Sequence, residues 1–322
     1  MNKNCTFLEF SEYWLKQQKE LKAIKESSYA NFSSITRKHL QPMFGDKQIN
    51  KLKPEDLQNA ISYWLEKGNL KTGKGLSIKT IKDYVVIFKL IIKSAVDKKY
   101  IKDPKFKPIF PKENEIKVLK ILTESEQSRL IQAVYLNLNY KSLGILLSLF
   151  TGIRIGELCA LKWSDINFEN RTIIITKTTQ RVYLNEDFSK QDNKNTKIIT
   201  TTPKSQSSVR IIPLPSMLMP IVEKLKPKNL NTFLITGTKK QTEPRTYRSW
   251  YNHFLKKHNL KEINFHGLRH TFASRAMQTT GFDLYSLSNI LGHKKTSTTL
   301  DFYGGSNLEQ KKTCMELLNK FL

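Results

Sequence analysis

Residues 263–303 read INFHGLRHTFASRAMQTTGFDLYSLSNILGHKKTSTTLDFY. His266-Gly-Leu-Arg269-His270 places a histidine and an arginine three positions apart at what reads as the start of a helix, with a second histidine next in line. Helix N-termini favour anions, because free amide hydrogens and the aligned peptide dipoles both point there. His266 and His270 also have the i, i+4 spacing of a zinc-binding helix, but that motif needs a glutamate after its first histidine as base, and Gly267 stands in its place. Leu291-Gly292-His293 closes a short helix, and Tyr303 follows ten positions after His293, behind Thr296–Phe302. Taken singly, a tyrosine at a helix end is a packed amphipath far more often than a nucleophile. The pattern is helical from Pro244 to the end of the chain.

Upstream, Thr151-Gly-Ile-Arg-Ile-Gly-Glu-Leu158 sets Arg154 and Glu157 three apart, close enough on a helix for the carboxylate to hold the guanidinium. Between the two helical stretches the period changes. Thr172–Thr176, Thr196–Thr202 and Val209–Leu214 are rich in Ile, Val and Thr, which predicts a small antiparallel sheet. The polar stretch Asn185–Asn195 is its long hairpin loop. Lys204 stands in Thr202-Pro203-Lys204-Ser205, just before the strand that holds Val209 and Ile211. Residues 119–322 therefore read as one domain, mostly α with a small β insert. Its first helix opens at Thr123, with Glu126 three residues later, a capping-box pattern that satisfies otherwise unpaired backbone amides.

Residues 1–103 show no strand pattern and read as a compact helical domain of four helices, about Thr6–Leu21, Ser27–Phe44, Pro54–Lys67 and Ser77–Lys99. Phe7, Phe10, Trp14 and Leu21 share one face of the first. Ile81, Tyr84, Val85, Phe88, Ile91, Ile92 and Ala95 share one face of the fourth. Gly45, Gly68, Gly73 and Gly75 mark the breaks, and Pro54 sits where a first helical turn needs no amide hydrogen. Pro104, Pro108 and Pro111 disfavour helix and predict an extended, basic connector over 104–118.

Across 322 residues, enough for two domains of ordinary size, 54 Lys and Arg stand against 28 Asp and Glu, a formal net charge of +26. So large an excess points to a polyanionic partner, nucleic acid foremost. The longest strongly apolar stretches, such as Leu143–Phe150, fall far short of the roughly 18 to 20 residues of a membrane helix. The N-terminus also lacks a signal-peptide pattern. Cys5, Cys159 and Cys314 are scattered and have neither disulfide-framework nor metal-type spacing.

The ordered series Arg154, Lys204, His266-x-x-Arg269, His293 and Tyr303 resembles the active-site signature of the tyrosine recombinase (phage integrase) family. The likeness extends to Gly152-x-Arg154-x-x-Glu157, Leu268-Arg269-His270-Thr271 and Leu291-Gly292-His293, and it covers the second domain in order and spacing. The first domain's helical make-up is similar to that family's core-binding, SAM-like domain. The resemblance implies a mainly α fold with a small antiparallel β-sheet (α+β), the helical core-binding domain being followed by a catalytic domain. It implies a site-specific recombinase or integrase that cuts and rejoins duplex DNA to integrate or excise a mobile element or prophage.

In that chemistry Tyr303 attacks a DNA phosphate, a covalent 3′-phosphotyrosine forms, and a partner strand's 5′ hydroxyl resolves it. Arg154 and Arg269 stabilise the charge on the non-bridging oxygens, a task suited to a planar fork that never loses its charge. Lys204 gives the leaving 5′ oxygen its proton, and His266 exchanges a proton with Tyr303 and helps bind the phosphate. His293 is a second phosphate contact, while Glu157 and His270 orient and brace. Neither metal nor other cofactor is expected, because the phosphotyrosine conserves the energy of the broken bond.

The expected partners are double-stranded DNA, gripped mainly through phosphates, and further copies of the chain in a homotetramer on DNA. An excisionase or host DNA-bending factor is a further candidate partner. The tail Asn307–Leu322, with Leu308, Met315, Leu318, Phe321 and Leu322 on one stripe, packs either on a neighbouring subunit or on its own domain. A cytoplasmic, nucleoid-associated location is expected. The chain starts within the core-binding helices at Phe7, without the arm-binding domain of larger integrases, which favours a simpler recombinase acting on its core sites. Two rival readings are a type IB topoisomerase, relaxing DNA as a monomer with the same nucleophile, and a DNA-binding regulator that has lost catalysis.

Overall fold

The computed structural model describes residues 4–21, 24–112, 120–183, 196–202, 209–279, 283–293 and 295–303, with Tyr183 and residues 301–303 described by their backbone. The chain divides into two compact units, Met1–Ile116 with Val182–Lys197, and Lys117–Arg181 with Ile198–Leu322.

The first unit is built on α1 (Phe7–Glu20), α2 (Glu26–Ile35), α3 (Gln41–Phe44), α4 (Pro54–Lys67) and α5 (Ile78–Asp97). Thr6 caps α1: its hydroxyl accepts the Glu9 amide hydrogen at 3.2 Å, and the Glu9 carboxylate accepts that of Thr6 at 2.9 Å. The buried face of α1 is Phe7, Phe10, Trp14 and Leu15. Leu21, expected on that face, is 72% exposed, because the helix ends at Glu20 and the residue lies beyond the edge of the core.

The helix expected over Ser27–Phe44 is interrupted by a π turn at Thr36–Leu40. Pro42 has no amide hydrogen to return to the preceding turn, and the amide of Gln41 reaches back five residues to the Thr36 carbonyl. The turn leads Phe44 into the aromatic centre of the unit, between Phe7, Trp64 and Phe88. The whole expected stripe of α5 is buried there. Residues 102–112 form neither helix nor strand. They are anchored on this unit by Phe106, edge-on to Phe88 at 5.0 Å, and by Gln58, whose side chain both donates to and accepts from the Ile109 backbone.

The second unit contains α6 (Glu124–Leu136), α7 (Tyr140–Thr151), α8 (Ile155–Ala160) and the short strands β1 (Ile166–Asn167), β2 (Thr172–Ile175) and β5 (Arg210–Pro213), together with most of β3 (Thr178–Tyr183) and β4 (Thr196–Thr201), of which Val182–Tyr183 and Thr196–Lys197 fall in the first unit. The helices α9 (Met219–Lys224), α10 (Pro244–Lys257), α11 (Phe265–Gln278), α12 (Leu284–Leu291) and α13 (Thr296–Tyr303) follow. The Thr123–Glu126 capping box is present at the start of α6. One sheet has the order β1-β2-β5, all antiparallel, with Ile173 opposite Ile212 and Ile174 opposite Ile211.

The single expected sheet is in fact two. β4 pairs instead with β3, a strand that the sequence pattern did not single out. The reason is burial: β2 and β5 each turn apolar side chains into the core, whereas no residue of β4 is buried, so β4 has no face to add to that layer. The stretch Asn185–Asn195 and the tail Asn307–Leu322 lie outside the described residues. The core of this unit wraps α7, whose residues Ser142–Leu149 are all buried and which packs on α11. Among the described residues no helix is long and apolar enough to cross a membrane.

Candidate active site

Three separated pieces of the second unit meet around Arg269. The first is the end of α7. Gly152 stops that helix in the left-handed conformation, φ +64°, and a Cβ there would lie 2.7 Å from Phe272 and 2.8 Å from Leu291. Only glycine meets both demands. The turn places Arg154 just ahead of α8 and Glu157 in its first turn. Glu157 accepts from the backbone amide of Arg154 and from its Nη1, each at 3.0 Å. The Arg–Glu contact is therefore made across a helix start, not along a helix face.

The second piece is α11, opened by Asn264, whose Oδ1 accepts the Gly267 amide hydrogen at 2.8 Å. His266 lies in its first turn and Arg269 in its second. Arg269 is 2% exposed. It donates from Nη1 to the Gly152 carbonyl at 2.7 Å, and from Nη2 to the Leu291 carbonyl at 2.7 Å and to His293 Nε2 at 2.9 Å. The rings of His266 and His270 stand edge to face, 4.6 Å between centres.

The third piece is the turn after α12. Gly292, φ +65°, ends the helix, and its carbonyl accepts from Arg154 Nη2 at 3.3 Å. His293 follows. A guanidinium only donates, so the Nε2 that faces Arg269 carries no proton. The proton is therefore on Nδ1, directed at the buried hydroxyl of Thr299, 2.8 Å away. Burial first, and then the cations Arg269, Arg154 and Arg210, push the pKa of His293 down to about 4. The imidazole is neutral at physiological pH. His266 has one side open to solvent, yet it too is held below its ordinary value, by desolvation first and then by His270, Arg269 and Arg154. Burial and Arg269 lower His270 in the same way.

Arg210 is a residue of the site that the sequence pattern did not single out, Val209 and Ile211 being the residues taken to mark its strand. Those two are 49% and 62% exposed, and Arg210 faces inward from β5 together with Ile212. It donates from Nη1 to Glu157 Oε1 at 3.0 Å, from Nη2 to Oε2 at 2.8 Å, and from Nε to the Ile290 carbonyl at 2.6 Å. The signal was available in the two-residue period of a strand, which puts Arg210 on the same face as Ile212 and Leu214. Burial raises the Glu157 pKa, but Arg210 and then Arg154 more than reverse this, and the carboxyl ends below its usual range.

The structure thus brings Arg154, Glu157, His266, Arg269, His270 and His293 together. A cavity of about 380 Å³ opens beside His266, lined also by Ile153, Ile155, Asn264, Phe265 and Arg248. Tyr303 is the last residue of α13, which packs on α11 and α12. Lys204 lies outside the described residues. Among the described residues no three His, Cys, Asp or Glu side chains are grouped as metal ligands. Fixed cations and neutral imidazoles, with a cavity opening beside His266, suit an anion whose charge grows during reaction.

The model of the phage integrase family matches residues 120–309, more than half of the chain. The chain belongs to the phage integrase family. It is a tyrosine-type site-specific DNA recombinase of the kind carried by mobile elements. The family's N-terminal SAM-like domain matches residues 6–65. Among relatives, the XerC-like tyrosine recombinase of Caldanaerobacter subterraneus is 30% identical over 267 residues, covering 76% of this chain and 67% of its own. The ICEBs1 integrase of Bacillus subtilis is 23% identical over 310 residues, covering 92% and 79%.

Among solved structures, the integrase of transposon Tn1549 in complex with transposon right-end DNA superposes with a TM-score of 0.76 at 24% identity, covering 98% of this chain and 99% of that one. The lambda integrase tetramer bound to a Holliday junction gives 0.63 at 17% identity, covering 92% and 79%. These likenesses are of fold, and they agree with the mainly helical architecture with small sheets.

Proposed function

We propose that Tyr303 is the nucleophile of this recombinase and that Arg154, Lys204, His266, Arg269 and His293 serve its reaction at one DNA phosphate. The observation that carries the reading is the meeting of Arg154, Arg269 and two neutral histidines, one of which, His266, lines a cavity. His266 in its neutral form accepts the phenolic proton of Tyr303 as the oxygen attacks phosphorus. Charge gathering on the non-bridging oxygens is met by Arg154 and Arg269, and His293, which accepts from Arg269, holds that guanidinium beside them. Removing one such donor commonly costs about 100- to 1000-fold in rate. Lys204 protonates the departing 5′ oxygen, a 3′-phosphotyrosine bond replaces the broken phosphodiester, and attack by a partner strand's 5′ hydroxyl reverses these steps. Glu157 and His270 orient and brace without reacting.

In the same reading residues 1–103 are the core-binding domain, 104–118 the connector and 119–322 the catalytic domain, and both domains hold double-stranded DNA through its phosphates. The net charge of +26 supports this grip, and binding weakens steeply with salt. The recombinase works as a homotetramer on DNA near the nucleoid, with an excisionase or a DNA-bending host factor setting direction. Support for the tetramer comes from the likeness to the lambda integrase, solved as a tetramer on a Holliday junction. The family match favours strand exchange over relaxation of supercoils by a monomer.

Wild type and Tyr303→Phe, incubated with nicked, end-labelled duplexes made from the DNA flanking the gene, test the assignment on denaturing gels. A protein-linked band with wild type alone is the expected result. Binding by both with linkage by neither would replace the catalytic reading with that of a silent DNA-binding regulator.

A further inference from the structure

We propose that Arg210 is a positioning residue of the catalytic centre, setting Arg154 through Glu157 and setting the Arg269–His293 side through the turn at residues 290–293. The inference rests on the recombinase reading and adds a residue to it. Arg210 brings a full charge into the protein, its side chain 6% exposed. A buried guanidinium is costly unless a carboxylate faces it with good geometry, and both oxygens of Glu157, itself 3% exposed, do so. The same carboxylate holds the backbone amide and the Nη1 of Arg154, whose own side chain is 35% exposed. Arg154 therefore stands, partly exposed, on a support that is fixed behind it by Arg210.

The turn after α12 leans on the same side chain. Arg210 Nε is bonded to the Ile290 carbonyl, and its guanidinium packs so closely on Gly292 that a Cβ there would lie 3.1 Å from Nη1. The three residues that follow Ile290 supply the Leu291 carbonyl to Arg269, the Gly292 carbonyl to Arg154, and His293 itself. One side chain thus touches the support of the first arginine and the chain that holds the second. A methionine of similar length would fill the space and give up every one of these bonds. A lysine would keep the charge without the fork.

The test uses the full chain and measures single-turnover formation of the covalent adduct on a nicked duplex. The scissile position carries either a native phosphate or a methylphosphonate, which has lost the charge that Arg154 and Arg269 meet. Arg210→Met is expected to slow adduct formation about 100-fold on phosphate, the scale of a misplacement near 1 Å, but at most about 10-fold on methylphosphonate. Arg210→Lys is expected to lie between it and wild type, and Ile211→Thr, exposed on the same strand, to match wild type.

A loss that is equal on both substrates would reduce Arg210 to a structural residue and overturn the proposal, as would no loss at all. Should Arg210→Met fail to fold by thermal melting, Arg210→Lys carries the same comparison: a larger loss on phosphate supports the proposal, and an equal loss or none overturns it. No adduct with wild type on either substrate would overturn the recombinase reading itself, and the proposal with it.

Discussion

Glu157→Gln keeps the shape of a buried side chain and takes away its charge. In the native protein Oε1 receives Nη1 of both Arg154 and Arg210 at 3.0 Å, while Oε2 receives Arg210 Nη2 at 2.8 Å and the Arg154 amide at 3.0 Å. Glutamine offers one acceptor oxygen, and its amide group turns hydrogens toward two of these donors. Two contacts become donor against donor, and Arg210 keeps its charge inside the protein without its carboxylate. Removing one partner of a buried ion pair costs about 3–5 kcal/mol. For a unit of this size that lowers the melting temperature by roughly 10 °C.

Acid adds a second signature. Because the folded protein holds the Glu157 carboxyl below its ordinary 4.5, the unfolded chain takes up the proton more readily. The stability this supplies is complete above the unfolded value and is lost as pH falls through the lower folded one. Glutamine has no such ionisation, so the gap between wild type and variant narrows as pH falls below about 4.5. Calorimetry at pH 7 and at a series of acid pH values checks both parts. A variant that melts within about 2 °C of wild type at pH 7, less than 1 kcal/mol on this scale, or a gap that widens in acid, would refute the reasoning.

Two further outcomes follow from the packing of the second unit. Glycine to alanine inside a helix ordinarily stabilises by about 1 kcal/mol, but a Cβ on Gly144 of α7 would run into the buried hydroxyl of Tyr247 and lie 3.0 Å from Leu158. Gly144→Ala is therefore expected to destabilise by about 1–3 kcal/mol, and a raised denaturation midpoint in urea would contradict it. Thr299→Val removes the acceptor for the Nδ1 proton of His293, which frees the ring to change tautomer and lose its bond from Arg269. Phosphotyrosine formation is expected to slow about tenfold, equivalent to ~1.4 kcal/mol, and an unchanged single-turnover rate would show that the tautomer does not matter.

The helices of the first unit were legible because their signals are local. A proline at the first turn of α4 and a stripe along α5 each act within a few residues, and both stand where expected. The same holds for the Thr123–Glu126 box and for Gly292 as the end of α12. Arg154, His266, Arg269, His293 and Tyr303 could be picked out because each stands at or near the end of an element, within a short motif whose spacing survives in the sequence.

Tertiary structure alone decided three other things. The division of the strands between two sheets depended on which of them had a face to bury, and β4, whose two apolar residues Ile198 and Ile199 are adjacent and so point to opposite faces, did not. The protonation of His293 depended on a donor 24 positions away in Arg269. The two-residue period puts Arg210 on the face of Ile212, but that a charge is accepted on this buried face depended on Glu157, 53 positions upstream, because a buried charge is tolerable only where a distant part of the chain supplies its counter-charge. Local periodicity records which residues can lie on a face, whereas the pairing of buried polar groups is settled only when the faces meet.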